Sequence, residues 1–137
     1  MEWTFSLATL QEVARKVWAI TGPGKVLAFH GSMGSGKTTF IHALCDVMKV
    51  QGAVGSPTFA LINEYRCPQG PLFHIDLYRI QSEEEAVRAG IEEALHSGYS
   101  CFIEWPERAP HLLPEATVHL YFEVLDEQTR TLRIGGN

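Results

Sequence analysis

The sequence is short of several things, and each shortage excludes something. Its three cysteines, Cys45, Cys67 and Cys101, form no CxxC pair and leave an odd count. That excludes a disulfide framework and suits reduced thiols in a cytosol. The six histidines include no HxxxH or HExxH spacing, which argues against a structural zinc site or a metalloprotease. No apolar run approaches the roughly 18 residues that a membrane-spanning helix needs. The start, Met1-Glu2-Trp3-Thr4, lacks the basic and apolar segments of a secretory leader. The expectation is a cytoplasmic chain with no membrane association. There is no internal repeat and no low-complexity segment. At 137 residues, against roughly 100–200 per domain, residues 1–137 are expected to form a single domain. Such a chain has no room for a separate substrate domain, so its chemistry is simple or shared with a partner.

Basic charge is also scarce, and unevenly so. The net charge is −5. Residues 1–60 hold five basic groups against three acidic ones, giving +2, whereas residues 61–137 hold six against thirteen, giving −7. A broad nucleic-acid surface needs clustered Lys and Arg, so the acidic half argues against one. The run Glu83-Glu84-Glu85 reads as a solvated helix face.

What is present alternates between strand and helix patterns. Thr9-Leu10-Gln11-Glu12 has the form of a capping box. Leu10, Val13, Ala14, Val17 and Trp18 follow at helical spacing, until Thr21-Gly22-Pro23-Gly24 ends the run. Lys25–His30 reads as a buried strand and Thr38–Met48 as a helix. Gly52–Pro57 is expected to be a loop, with strands at Thr58–Tyr65 and Leu72–Asp76 separated by the breaker-rich Arg66–Pro71. A second capping-box pattern, Ser82–Glu85, opens a helix that stops near Gly90, and another turn or two runs from Ile91 to His96. Tyr99–Glu104 is a further buried strand. The alternation over 117–124 and the run Thr129–Ile134 complete the set. Strands alternating with helices predict an α/β fold, a three-layer domain with a mixed, mainly parallel sheet flanked by helices.

Between the first buried strand and the next helix lies Gly31-Ser32-Met33-Gly34-Ser35-Gly36-Lys37-Thr38. It matches G-x-x-x-x-G-K-[ST] at every defined position. Glycines let backbone wrap closely around phosphate oxygens. Successive N–H groups, including those of Ser32, Met33 and Ser35, then form an anion nest reinforced by the helix that follows. Lys37 would reach the β- and γ-phosphates, and the Thr38 hydroxyl would ligate Mg²⁺. No N-K-x-D motif accompanies the loop, which favours ATP over GTP. Asp76 and Glu104 each follow four strand residues, where Mg²⁺ ligands and water-orienting groups sit in such folds.

Several segments then occur together in order: the phosphate loop; Ser56-Pro57-Thr58-Phe59 with Glu64-Tyr65; His74-Ile75-Asp76-Leu77-Tyr78-Arg79; and Ile103-Glu104-Trp105-Pro106-Glu107. In this combination the chain resembles the TsaE (YjeE) family of small bacterial P-loop ATPases, from about Ser6 to Arg133. The resemblance implies an ATPase that supports threonylcarbamoyladenosine modification of transfer RNA. It would work with the partner proteins TsaB and TsaD and touch tRNA only indirectly. It implies that Gly34, Gly36, Lys37, Thr38 and Thr39 hold phosphates, that Thr38 and Glu104 bind Mg²⁺, and that Asp76 is a Walker-B-like carboxylate orienting water. It further implies that Ser56-Pro57-Thr58 is a mobile switch and that Trp105 and Arg130 lie close to the nucleotide, with Ser6 the nearest equivalent of an N-terminal contact. Ser32, Met33 and Ser35 depart from the family's usual aspartate, leucine and alanine in the loop.

Other readings of these residues stand beside the resemblance. Ser56-Pro57 could be only a strand entry, and Trp105 core filler. Tyr78 and Arg79 could cover the sheet edge, and His74 reads as a packed strand histidine. For the whole chain, the rivals are a small-molecule kinase, which would need a lid and a basic acceptor pocket, and a nucleotide-gated binding module without turnover.

Overall fold

The computed structural model describes residues 1–52 and 61–136. Seven strands form one sheet: β1 (Glu2–Phe5), β2 (Val26–His30), β3 (Ile62–Cys67), β4 (Gly70–Asp76), β5 (Ser100–Glu104), β6 (Val118–Val124) and β7 (Arg130–Gly136). Four helices accompany them: α1 (Leu10–Thr21), α2 (Lys37–Val47), α3 (Glu83–Arg88) and α4 (Ile91–Leu95). Two short 3₁₀ turns, Pro106–Arg108 and Pro110–Leu112, follow β5. The strand order is β1-β7-β6-β2-β5-β4-β3. The central β6, β2, β5 and β4 are parallel to one another, and the antiparallel pairs β1–β7, β7–β6 and β3–β4 flank them. Five of the seven strands therefore run the same way, as the mixed, mainly parallel expectation has it.

The buried strands carry the apolar runs that two-sided burial demands. In β2, Val26 to Phe29 are all buried, and in β5 every residue is. One face packs Leu27, Phe29, Phe102 and Leu120 under α1 and α2. The other sets Ala28, Ile75, Cys101 and Ile103 against α3, α4 and the turns after β5. On the first face five phenylalanines follow one another in ring contact. Phe5 meets Phe40 at 5.7 Å between centroids, Phe40 meets Phe122 at 5.3 Å, Phe122 meets Phe29 at 6.0 Å and Phe29 meets Phe102 at 5.5 Å. Among the described residues no helix is long and apolar enough to cross a membrane.

Several local expectations need correction. The strand β1 was not foreseen; its four residues alternate too briefly to signal a strand, and pairing with β7 makes it one. Neither capping box forms as its pattern suggests. The Thr9 hydroxyl caps no N–H of α1, but turns back to accept from the Ser6 N–H at 3.0 Å. Ser82 makes no side-chain cap either, and the Glu85 carboxylate accepts from the Gln81 N–H at 2.9 Å, one residue earlier than the box requires. The breaker-rich connection shrinks to Pro68-Gln69, since Cys67 pairs with Gly70 and Arg66 with Pro71. The expected loop Gly52–Pro57, the start of the Thr58–Tyr65 strand and the Ser56-Pro57-Thr58 switch fall wholly or largely outside the described residues.

Candidate functional site

The parallel core brings the C-terminal ends of β2, β5 and β4 side by side. Phe29 of β2 is in register with Glu104 of β5, and Glu104 with Asp76 of β4. The glycine-rich loop leaves the end of β2 and feeds directly into α2, so loop and carboxylates meet at one edge of the sheet. Gly34 and Gly36 have φ of +80° and +100°, the left-handed region that glycine alone enters without strain. Gly31 meets a different demand: a Cβ there would lie 2.6 Å from Ser35 Oγ and 2.9 Å from the Phe122 carbonyl oxygen.

Above this edge lies a cleft of about 750 Å³. Lys37, Thr38, Asp76, Glu104 and Trp105 line it, together with Ser6, Leu7, Met33, Gln128 and Arg130. Lys37 is buried; its ammonium donates to the Gly31 carbonyl at 2.6 Å and sits 3.6 Å from the centre of the Trp105 ring. Burial lowers its pKa from the usual lysine value, against the opposing pull of Glu104, Glu107 and Asp76. Trp105 has φ 59° and ψ 48°. For a bulky residue, that left-handed backbone costs on the order of 1–3 kcal/mol, against a cation–π contact of about 0.5–2 kcal/mol. Such strain is held in place by its surroundings, and here it turns the indole over Lys37.

Both oxygens of the buried Glu104 are occupied. Thr38 Oγ1 donates to Oε1 at 2.9 Å, and His74 Nε2 lies 2.7 Å from Oε2. Asp76 is less enclosed and accepts from the Tyr78 N–H at 3.0 Å. Burial raises its pKa above the usual aspartate value, partly opposed by that hydrogen bond. Arg130 opens β7; its guanidinium donates to the Asp126 carbonyl at 2.8 Å and reaches the Gly34 carbonyl at 3.5 Å. Arg130 Nε and Ser35 Oγ are buried without a hydrogen-bond partner.

The arrangement is a cradle of backbone N–H groups with a lysine, a hydroxyl and two carboxylates at one end. A family model described as threonylcarbamoyl adenosine biosynthesis protein TsaE matches residues 4–132. The chain belongs to the TsaE family. A Bacillus subtilis protein named tRNA threonylcarbamoyladenosine biosynthesis protein TsaE is 31% identical over 140 residues, spanning 100% of this chain and 87% of that one. An Aquifex aeolicus protein of the same name is 36% identical over 127 residues, spanning 90% and 86%. Among solved structures, the crystal structure of YdiB from Bacillus subtilis superposes with a TM-score of 0.73 at 25% identity, over 96% of this chain and 82% of that one.

Within this TsaE fold the residues singled out from sequence are gathered unevenly. Gly34, Gly36, Lys37, Thr38, Thr39, Asp76, Glu104, Trp105, Arg130, Ser6 and Met33 all border the one cleft. Ser32 is exposed and Ser35 is buried, and neither side chain lines it. His74 is the packed strand residue that the sequence suggests, and Tyr65 appears in the sequence only within a motif, with no role attached. His74 is fully buried between Glu104 and the Tyr65 hydroxyl, which lies 3.1 Å from its Nδ1. The signal was there in the period of two: His74 and Asp76 share a face of β4, and Glu104 sits on the same face of the next strand.

Proposed function

We propose that the cleft binds ATP with Mg²⁺ and hydrolyses the γ-phosphate, in support of threonylcarbamoyladenosine modification of tRNA in the cytoplasm. The observation that carries this reading is the meeting of Lys37, Thr38, Asp76 and Glu104 in one cleft, beside a glycine-rich loop at a helix N-terminus. The names of the relatives supply the biological context.

The residues fit the cofactor. Gly34 and Gly36 keep the loop open to phosphate oxygens. Among the described residues no three His, Cys, Asp or Glu side chains gather as a closed metal cage. Mg²⁺ is usually held by one or two protein oxygens together with substrate phosphates and water, and Thr38 Oγ1 and Glu104 Oε1, 2.9 Å apart, are oxygens of that kind. Thr38 and Glu104 would hold it. When bound, Mg²⁺ supplies charge neutralisation on the phosphate oxygens.

The chain's own residues supply the rest by position and charge. Backbone N–H groups from Ser32 to Thr39 hold the phosphates at the end of α2. Lys37 exchanges its contact with the Gly31 carbonyl for phosphate oxygens and meets the charge that develops there. Asp76 orients a water against the γ-phosphorus; as the new P–O bond forms, the bridging P–O bond to ADP breaks and inorganic phosphate leaves with the water's oxygen. Ser6, Met33, Trp105 and Arg130 contact the nucleotide along the cleft. We take the acceptor chemistry to belong to partners, TsaB and TsaD, with tRNA met through them.

The test is reconstitution with TsaB, TsaD and tRNA. The expected result is ATP-dependent modification with release of free phosphate, both lost with Lys37→Ala. Phosphate delivered to a small acceptor instead would replace this reading with a kinase. Modification that needs ATP binding but releases no phosphate from this chain would make it a nucleotide-gated module.

A further inference from the structure

Glu104 is 3% exposed at the end of β5, and a carboxylate so enclosed is costly unless its oxygens are hydrogen-bonded. Thr38 satisfies one oxygen from the loop side, and the imidazole of His74 satisfies the other from β4. His74 is itself 0% exposed, and both of its ring nitrogens are engaged, by Glu104 on one neighbouring strand and Tyr65 on the other. A carboxylate can only accept, so Nε2 carries the proton. On its other side the ring is met by the Tyr65 hydroxyl, 3.1 Å from Nδ1.

We propose that His74 is a positioning residue: it fixes the Glu104 carboxylate so that its second oxygen faces Thr38, and Tyr65 in turn holds the far side of the His74 ring. The inference rests on the reading of Thr38 and Glu104 as the groups that hold Mg²⁺. A carboxylate free to turn about its last bond would offer its oxygens to Thr38 in many orientations. Tied at Oε2 over 2.7 Å, it keeps one. The line Tyr65–His74–Glu104–Thr38 thus runs from an edge strand through two inner strands to the first turn of α2. Groups that orient a metal's ligands in this way commonly govern metal affinity without touching the metal.

The experiment titrates MgCl₂ into the full-length protein with a ribose-labelled fluorescent ATP, and measures binding of the same probe in EDTA. In the wild type Mg²⁺ should tighten binding, and Glu104→Gln should abolish that tightening while binding in EDTA persists. A wild-type protein indifferent to Mg²⁺, or a Glu104→Gln protein with the wild-type response, overturns the metal reading and this inference with it. Two His74 variants then separate positioning from bulk. The side-chain amide of Gln reaches the place of Nε2, whereas that of Asn reaches only the place of Nδ1. His74→Asn should raise the Mg²⁺ midpoint roughly ten-fold, while His74→Gln stays within about three-fold of wild type and neither changes binding in EDTA. Equal shifts for the two, no shift in either, or a loss in EDTA would overturn the positioning role. Should neither variant fold, nitrogen NMR of the wild-type imidazole decides: a proton held on Nε2 supports the assignment, and a bare Nε2 overturns it.

Discussion

The two halves of the sheet treat their functional side chains differently. In the parallel half, the buried groups at the strand ends and the start of α2 are held by hydrogen bonds, Lys37 to the loop, and Glu104 to both Thr38 and His74, with Asp76 less enclosed beside them. In the antiparallel half, β1 and β7 contribute Ser6 and Arg130 to a wall beside the exposed Leu7, Glu127 and Gln128. The difference teaches where precision is needed. Charge on a phosphoryl group must be met by groups already in place. A wall that grips the rest of a ligand can adjust on contact.

Substitutions in the two halves should therefore differ in size and kind. The largest effect is expected from Lys37→Ala, which removes a charged donor from the cleft; affinity for ATP should fall roughly 100-fold by calorimetry, since a hydrogen bond to a charged group contributes about 1.5–3 kcal/mol. A loss under ten-fold would mean that the loop backbone alone does the holding. Next, Glu104→Ala should lower Mg²⁺-dependent turnover in the partner complex by about 100-fold, in line with removing one preorganised group that meets developing charge. The same variant measured in EDTA should bind nucleotide much as the wild type does. In the antiparallel half, Arg130→Ala should weaken nucleotide binding only about five-fold, the size of a single net hydrogen bond of about 1 kcal/mol. An effect as large as that of Lys37→Ala would erase the contrast between the halves.

The smallest expected effect concerns pH. Burial raises the pKa of Asp76 in the folded chain. A group so raised adds stability below its unfolded value of 3.8 and loses that contribution as pH rises through the folded value. At pH 7 the buried charge is therefore a cost, and Asp76→Asn should raise the melting temperature by about 2 °C, equivalent to a few tenths of a kcal/mol. As the pH falls toward 4 that advantage should shrink, because the wild-type carboxyl becomes neutral too. A gap that widens on acidification would contradict the sign.

The parallel half was largely legible in the sequence. Its strands are continuous apolar runs, its loop follows a fixed pattern, and its carboxylates sit at strand ends, so one-dimensional spacing already encodes the three-dimensional edge. The antiparallel half was less so. β1 is four residues long, and only its partner β7 makes Glu2 to Phe5 a strand. The capping patterns at Thr9 and Ser82 misled because short polar side chains have other backbone groups within reach, here those of Ser6 and Gln81. His74 and Tyr65 were hidden for a related reason. A histidine among apolar residues looks alike whether it fills space or holds a carboxylate, until the register of the next strand is known.

The row of phenylalanine rings runs from Phe5 in β1 through Phe40, Phe122 and Phe29 to Phe102 in β5, and so crosses the boundary between the two halves. Removing either half would strip the row of partners on one side. Partial opening of the sheet along β6 is thereby made expensive, and amide hydrogens of β2 and β7 should exchange through one common opening rather than two. In energetic terms the molecule cannot loosen its adaptable wall without also dissolving the floor beneath its phosphate loop.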